Sequence, residues 1–212
     1  ARPVTTLVAA VAGLALLAGS LSIVRLGEAM TQEALGRLDR HAAMQALAVD
    51  DVVRDATSDL GLASRNVVFG DALASGTGPV EPASRTRVES ALVYMGQRLA
   101  VDEICLTRRD GLEVARFNGG RLAAVADLSP DESLVNPAFA PSIGLADETA
   151  YRTAPYVSPD THRWVLGLAT PIVRSGETLG ILHFELPIAA ISDAIAGRFG
   201  EVNSVLSSFI RG

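Results

Sequence analysis

The side chains able to do chemistry in this chain are aromatic, acidic and imidazole groups, gathered in its second half. Tyr151, Tyr156 and Trp164 are three of only four Trp or Tyr residues in the sequence. Their clustering points to an aromatic-lined pocket for a small molecule. Core packing is an equal reading for Trp164, which begins an apolar strand. Further on, His183 and Glu185 alternate with Leu182, Phe184 and Leu186. In a strand, that alternation puts His183 and Glu185 on one face with Ile181 and the apolar trio on the other. If helices cover the apolar face, His183 and Glu185 face the pocket; otherwise Glu185 is an exposed strand residue. Arg116 or Arg152 supplies the cation that a carboxylate ligand needs. Phe139 and Asn136 lie in a proline-rich stretch that either closes the pocket or ties its own loop down.

Other chemistry is excluded. The net charge of −6 offers no basic face for nucleic acid. Cys105 is the only cysteine, so no intrachain disulfide or multi-cysteine zinc site can form. Its neighbours Ile104 and Leu106 make it a small core residue rather than a nucleophile. His41, His162 and His183 lack the i, i+4 spacing of a metal pair, so no metal site and no cofactor are expected. There is no GxSxG, P-loop, HExxH or dinucleotide fingerprint. The adjacent pairs Asp50-Asp51 and Asp131-Glu132 diverge by about 100° in a helix, which makes solvated surface the expectation for both.

The elements that must position these residues follow from periodicity. An uncharged run from Pro3 to Val24, bracketed by Arg2 and Arg25, spans about 33 Å as a helix and suits a bilayer core of about 30 Å. A cleaved signal peptide is the alternative, disfavoured by the length of the run. From Arg25 to about Val68, a stripe of Ala42, Val49, Val52, Ala56, Leu60, Ala63 and Val67 predicts one long helix that packs on its own domain. Gly70 to Ser84 reads as loop. Ser84 caps a helix from Arg85 to about Ala100, with Val88, Ala91, Leu92, Met95 and Leu99 inward. Strands are expected at Glu103–Thr107 and Leu112–Asn118 around an Asp-Gly turn. After an irregular stretch from Ser129 to Ala146, further strands are expected within Thr149–Val157, His162–Val173 and Thr178–Leu186. Pro187 suits the first turn of a terminal helix that ends near Ile210. This is an α+β arrangement: a long N-terminal membrane-emergent helix packed on a small antiparallel sheet, with a terminal helix. The pocket belongs between the sheet's free face and the irregular cap.

With these elements in order, the chain resembles the Cache family of extracytoplasmic PAS-like sensor domains, found in bacterial chemoreceptors, sensor histidine kinases and diguanylate cyclases. The likeness rests on element order, on DEICLTRRDGLEVARF and on PYVSPDTHRWVLGLATPIVRSGETLGILHFEL. It covers about Arg25 to Leu186 and is most similar to sensor regions ahead of GGDEF or GGDEF-EAL outputs. In the family's amino-acid-binding branch, Tyr156 matches the tyrosine and Glu185 the acid that hold the amine. The Arg and Trp-Tyr positions of that branch fall in Pro137–Pro141, PAFAP, and do not match. The resemblance implies residues 1–25 as transmembrane helix and flank, 26–83 as stalk helix and loop, 84–186 as sensor domain and 187–212 as a terminal helix leading to a missing or second module. A fragment of a longer receptor is expected.

The function implied is a membrane-anchored, extracytoplasmic, non-catalytic ligand-sensing domain of a signal-transduction protein. Its expected location is the inner membrane, as a single-pass protein. Its partners would be a small molecule or a periplasmic binding protein, the membrane, and a second copy through the stalk helix. The alternative is a structural, dimerisation or docking module without a small ligand. Polar groups converging from Tyr156, Glu185 and Arg116 favour sensing. A cap filled by Phe139, Ile143 and Leu145 favours the alternative.

Overall fold

The structure, a computed structural model, describes residues 2–197 apart from 75, 77, 100 and 148, with the side chains of 2–12 and 14–18 outside the description. The expected span Pro3–Val24 therefore falls largely on side chains outside the described set, as does the expected end of the terminal helix near Ile210. Among the described residues, no helix is long and apolar enough to cross a membrane. The chain divides into two compact units, Ala1–Ala48 and Val49–Gly212. Helix α1 runs over Arg2–Ser64. In the first unit it carries an exposed Glu33–Arg37 ion pair one turn apart, at 2.5 Å.

In the second unit, α1 stops earlier than its periodicity predicts. Asn66 leaves helical geometry and its side chain accepts a hydrogen bond from the Val68 amide. That cap starts a new helix, α2, at Val67–Leu73, which runs into the stretch from Gly70 where a loop was expected. Val67 is exposed as a result, while Phe69 and Leu73 are buried. Helix α3 is Pro82–Gly96, capped by Glu81 rather than Ser84. The Glu81 carboxylate accepts from the Ala83 and Ser84 amides, which holds its pKa below the usual value. Pro82 follows as the first helical residue, where its missing N–H costs nothing. A further helix, α5, spans 188–197, and a short one, α4, spans Phe139–Ile143. Pro187 ends the preceding strand instead of opening α5.

The sheet has seven antiparallel strands in the order β3-β2-β1-β7-β6-β4, with β5 also on β6. They are β1 Glu103–Arg108, β2 Glu113–Asn118, β3 Arg121–Leu122, β4 Tyr151–Arg152, β5 Tyr156–Val157, β6 Trp164–Arg174 and β7 Glu177–Pro187. Gly111 turns the β1–β2 hairpin with φ 92°, a conformation that a side chain resists. Gly180 of β7 has a different task. A Cβ there would overlap the Thr107 carbonyl oxygen of β1.

One sheet face carries the main core. Ile104, Leu106, Leu182, Phe184 and Leu186 pack with Leu60, Phe69, Val88 and Leu92 from the helices. Each such side chain, fully buried, contributes about 1.5–3 kcal/mol. The other face is also buried, yet much of it is polar. Glu103, Thr107, Arg116, His183 and Glu185 are all under 10% exposed, covered by the segment that carries α4, β4 and β5.

Candidate functional site

Register builds the polar face. Across β1 and β7, Glu103 stands opposite Glu185 and Cys105 opposite His183. Across β7 and β6, Glu185 meets Gly167 and His183 meets Ala169. Across β1 and β2, Cys105 meets Arg116. The register slips between Leu106 and Thr107, so Glu113 lies opposite Thr107. That bulge puts Glu113 and Arg116 on one face despite their i, i+3 spacing, and they pair at 3.5 Å. Gly167 leaves room for its neighbours. A Cβ there would lie 3.1 Å from His183 Nε2 and 3.2 Å from the Tyr156 ring.

Hydrogen bonds fix the centre. The Tyr156 hydroxyl donates to Glu185 Oε1 at 2.6 Å and lies 3.5 Å from His183 Nε2. Asn136 Oδ1 accepts from the Ala138 amide at 2.9 Å, which points the Asn136 NH₂ group at His183 Nδ1, 3.3 Å away. Nδ1 is therefore the acceptor, and the neutral ring carries its proton on Nε2, toward Tyr156. Cys105 Sγ is 3.7 Å from the same Nδ1. Glu103 Oε2 and Glu185 Oε2 are buried and have no hydrogen-bond partner.

Burial sets the protonation. It lowers His183 to about 4, so the imidazole is neutral at pH 7. It raises Glu103 well above the usual carboxylate range, helped by the Glu185 charge. Glu185 is pushed up by burial, with the Tyr156 hydroxyl opposing. Cys105 is held well above the ordinary thiol value by burial and by Glu113. This thiol is no nucleophile.

Two spaces adjoin the face. A cavity of about 10 Å³ lies against Glu103, Glu132, Asn136, Tyr156, His183 and Glu185. A larger, open groove of about 710 Å³ borders β2 and β3, with Arg116, Arg121, Asp127, Asp160 and Arg163 on its walls. Arg116 pairs with Asp160 and donates to the Asp127 carbonyl at 2.6 Å, so its charge is already engaged.

No family model matches the sequence. No curated protein matches it either. Solved structures do match. The sensor domain of the Vibrio cholerae histidine kinase DctB aligns with a TM-score of 0.61 at 16% identity, over 77% of this chain and 60% of that one. The sensory domain of the Campylobacter jejuni chemoreceptor Tlp3, with isoleucine bound, aligns at 0.58 and 13%, over 74% and 60%. A domain from a Vibrio parahaemolyticus protein assigned to the sensory box/GGDEF family aligns at 0.53 and 17%, over 74% and 60%. The fold is that of a Cache-type sensory domain. The chain spans about 60% of the length of these Cache-type structures.

Within the Cache-type fold, the expected site residues separate into three groups. Tyr156, His183 and Glu185 come together, bonded as described. Arg116 lies on β2, with β1 between it and β7, and faces Asp160 and the open groove. Phe139 and Tyr151 form a small apolar cluster with Ala138, Ala169 and Ile181, which fastens the cap to the sheet. Trp164 departs from expectation. It begins β6, but it is 61% exposed and packs in no core. Two further readings are corrected. Glu132 is buried against the small cavity, while its neighbour Asp131 turns away to accept from the Ser133 amide. Cys105 is buried as expected, but on the polar face, opposite in direction to Ile104 and Leu106. Glu103 and Asp160 were not anticipated. The alternation Glu103, Cys105, Thr107 in β1 carries the signal for Glu103, since it sets these residues on the face opposite Ile104 and Leu106. Asp160 lies in a loop, where no periodicity indicates direction.

Proposed function

We propose that the chain is the ligand-sensing part of a bacterial signal-transduction protein, with the cap-covered polar face of the sheet as its ligand site. One observation carries the reading. A folded domain rarely buries carboxylate oxygens without partners, and here Glu103 and Glu185, register partners on β1 and β7, each bury an unpartnered Oε2 under a cap. Stability alone gives no reason to keep them there. A ligand that satisfies them does.

The sensing role is consistent with what the similar structures are named for, one of them a chemoreceptor domain with isoleucine bound. The free-amino-acid recipe is not carried over, because Pro137–Pro141 lacks its cation and aromatic pair. Anchoring by a single N-terminal span rests on the uncharged run Pro3–Val24, and Leu21, Ile23 and Val24 at its end are exposed. Residues 84–186 are the sensor in this reading. An output such as a diguanylate cyclase, histidine kinase or chemoreceptor module lies elsewhere in the protein. A ligand acts by binding one packing of the helices better than another.

The second reading, a docking or dimerisation module without a ligand, is favoured by the buried Phe139, which fills part of the cap. A thermal-shift screen against amino acids, organic acids, amines, purines and metal ions separates the two. Sensing gives a concentration-dependent rise in melting temperature that Glu185→Ala or Tyr156→Ala abolishes. A flat response across the panel, from folded protein, moves the assignment to the docking module.

A further inference from the structure

The centre of the polar face is too small for an organic ligand as it stands. Its cavity of about 10 Å³ holds one water-sized or ion-sized object. Glu103 and His183 line it, and one atom each from Glu103, Cys105 and His183 lie within 4.8 Å of one another. All three residues are at most 3% exposed. Ligand atoms of a tetrahedral zinc stand roughly 3.3–3.8 Å apart, given bonds of about 2.0–2.3 Å. Cys105 Sγ and His183 Nδ1, 3.7 Å apart, already meet that spacing. The third position is a carboxylate whose Oε2 is buried and has no hydrogen-bond partner.

We propose that Glu103, Cys105 and His183 form a binding site for a single divalent transition-metal ion of the zinc class. Glu185, the register partner of Glu103 across β1 and β7, stands beside the set with its own Oε2 buried and without a hydrogen-bond partner. This names the ligand class of the site proposed above, and rests on that reading only for the step from occupancy to signal. Sulfur, imidazole and carboxylate together select zinc-like ions over calcium or magnesium, which take oxygen ligands. The surroundings agree in charge. Glu103, Glu113, Glu132 and Glu185 are buried here beside the half-buried Asp160, and Arg116 is the basic residue facing them. The outer shell is in place too. With Nδ1 on the metal, the His183 Nε2–H faces the Tyr156 oxygen at 3.5 Å, and Tyr156 in turn donates to Glu185. Asn136, which now occupies Nδ1, withdraws when the ion enters. Binding forms bonds from thiolate, imidazole and carboxylate to the ion and releases the thiol proton, and the Glu103 proton where present, to solvent.

The test uses the purified 212-residue chain, stripped with chelator and titrated with Zn²⁺ and with Co²⁺ as its coloured substitute. The expected result is one equivalent bound in excess Mg²⁺, with a thiolate-to-cobalt charge-transfer band. Tyr156→Phe should weaken binding by roughly 10–100-fold, the usual cost of losing an outer-shell partner. Cys105→Ser should abolish the band and weaken binding further. A cobalt complex without the band, or unchanged zinc affinity in Cys105→Ser, overturns the site. The wild-type cobalt spectrum needs no variant, so a variant that fails to fold leaves the test intact. A thermal shift from an organic compound with no zinc bound overturns the metal site and leaves the sensing reading standing. Zinc bound through Cys105, in a receptor whose output ignores zinc and every organic compound tried, keeps the site and overturns sensing.

Discussion

The two faces of the sheet are built from the same strands, alternate residue by alternate residue, and they spend burial differently. On the helix side, Ile104, Leu106, Leu182 and Phe184 are fully buried among apolar neighbours. On the cap side, Glu103, Cys105, His183 and Glu185 are equally dry but polar, and two of the carboxylates are incompletely bonded. Burial therefore does not separate the faces; partner satisfaction does. The first face supplies stability through transfer of apolar surface. The second costs stability, and a fold keeps such a cost where it performs a function. The largest effect should come from the first face. Phe184→Ala removes a ring with no exposed surface and should lower unfolding free energy by about 3–5 kcal/mol in urea titrations. Ligand or metal affinity of the remaining folded fraction should stay within a small factor. An equal loss of stability from Tyr156→Phe would erase the contrast between the faces.

A medium effect probes the polar face through pH. Burial raises Glu113 to about 7 from its ordinary 4.5, against the Ser129 amide and Arg116 that favour its charge. A carboxyl whose folded pKa is raised holds its proton more tightly in the folded state. Its stabilising contribution is full below about 4.5 and is lost as pH rises through about 7. Glu113→Gln cannot titrate, yet can still accept from Ser129, and Arg116 keeps Asp160 and the Asp127 carbonyl. Relative to the variant, the wild type should lose roughly 3 kcal/mol at most between those limits, at about 1.4 kcal/mol per pH unit. Melting curves at pH 4.5, 6 and 7.5 measure it. Parallel pH profiles for the two proteins would show that the polar face carries no such burden at Glu113.

The comparison also explains what the sequence could reveal. Helix stripes and strand alternation are statements about a repeating direction; they point Val88 and Leu92 inward and set Leu182 and Phe184 on one strand face, and all four lie in the core. Alternation also carried His183 and Glu185 to the opposite face. Three kinds of information were illegible. The helix break at Asn66 is a single capping bond inside a continuous apolar pattern. The shared face of Glu113 and Arg116 depends on a bulge, and one inserted residue reverses every parity after it. The meeting of Asn136, Tyr156 and Asp160 with the sheet depends on how an irregular cap folds back, which no local period encodes. Glu103 is legible, because its alternation with Ile104 and Leu106 puts it on the polar face.

The smallest expected effect marks where the two-face division ends. Trp164 is the first residue of β6, directly across from Val157 of β5, and it is 61% exposed while Val165 beside it is fully buried. The strand thus enters the domain at a single residue step. Trp164→Ala should change stability by no more than about 0.5 kcal/mol, as surface substitutions do. Because it is the only tryptophan, its fluorescence reports this rim without labelling. Emission in the ligand-free protein should lie at the long wavelength of a hydrated indole and be quenched readily by iodide. Its neighbour on β5 precedes the loop that holds Ser158 and Asp160, so a cap that closes further on an ion or ligand should shift that emission to shorter wavelength. A buried-type spectrum in the free protein, or a loss of several kcal/mol in Trp164→Ala, would place the edge of the covered surface beyond Val165 and extend the dry region to the cap's outer loop.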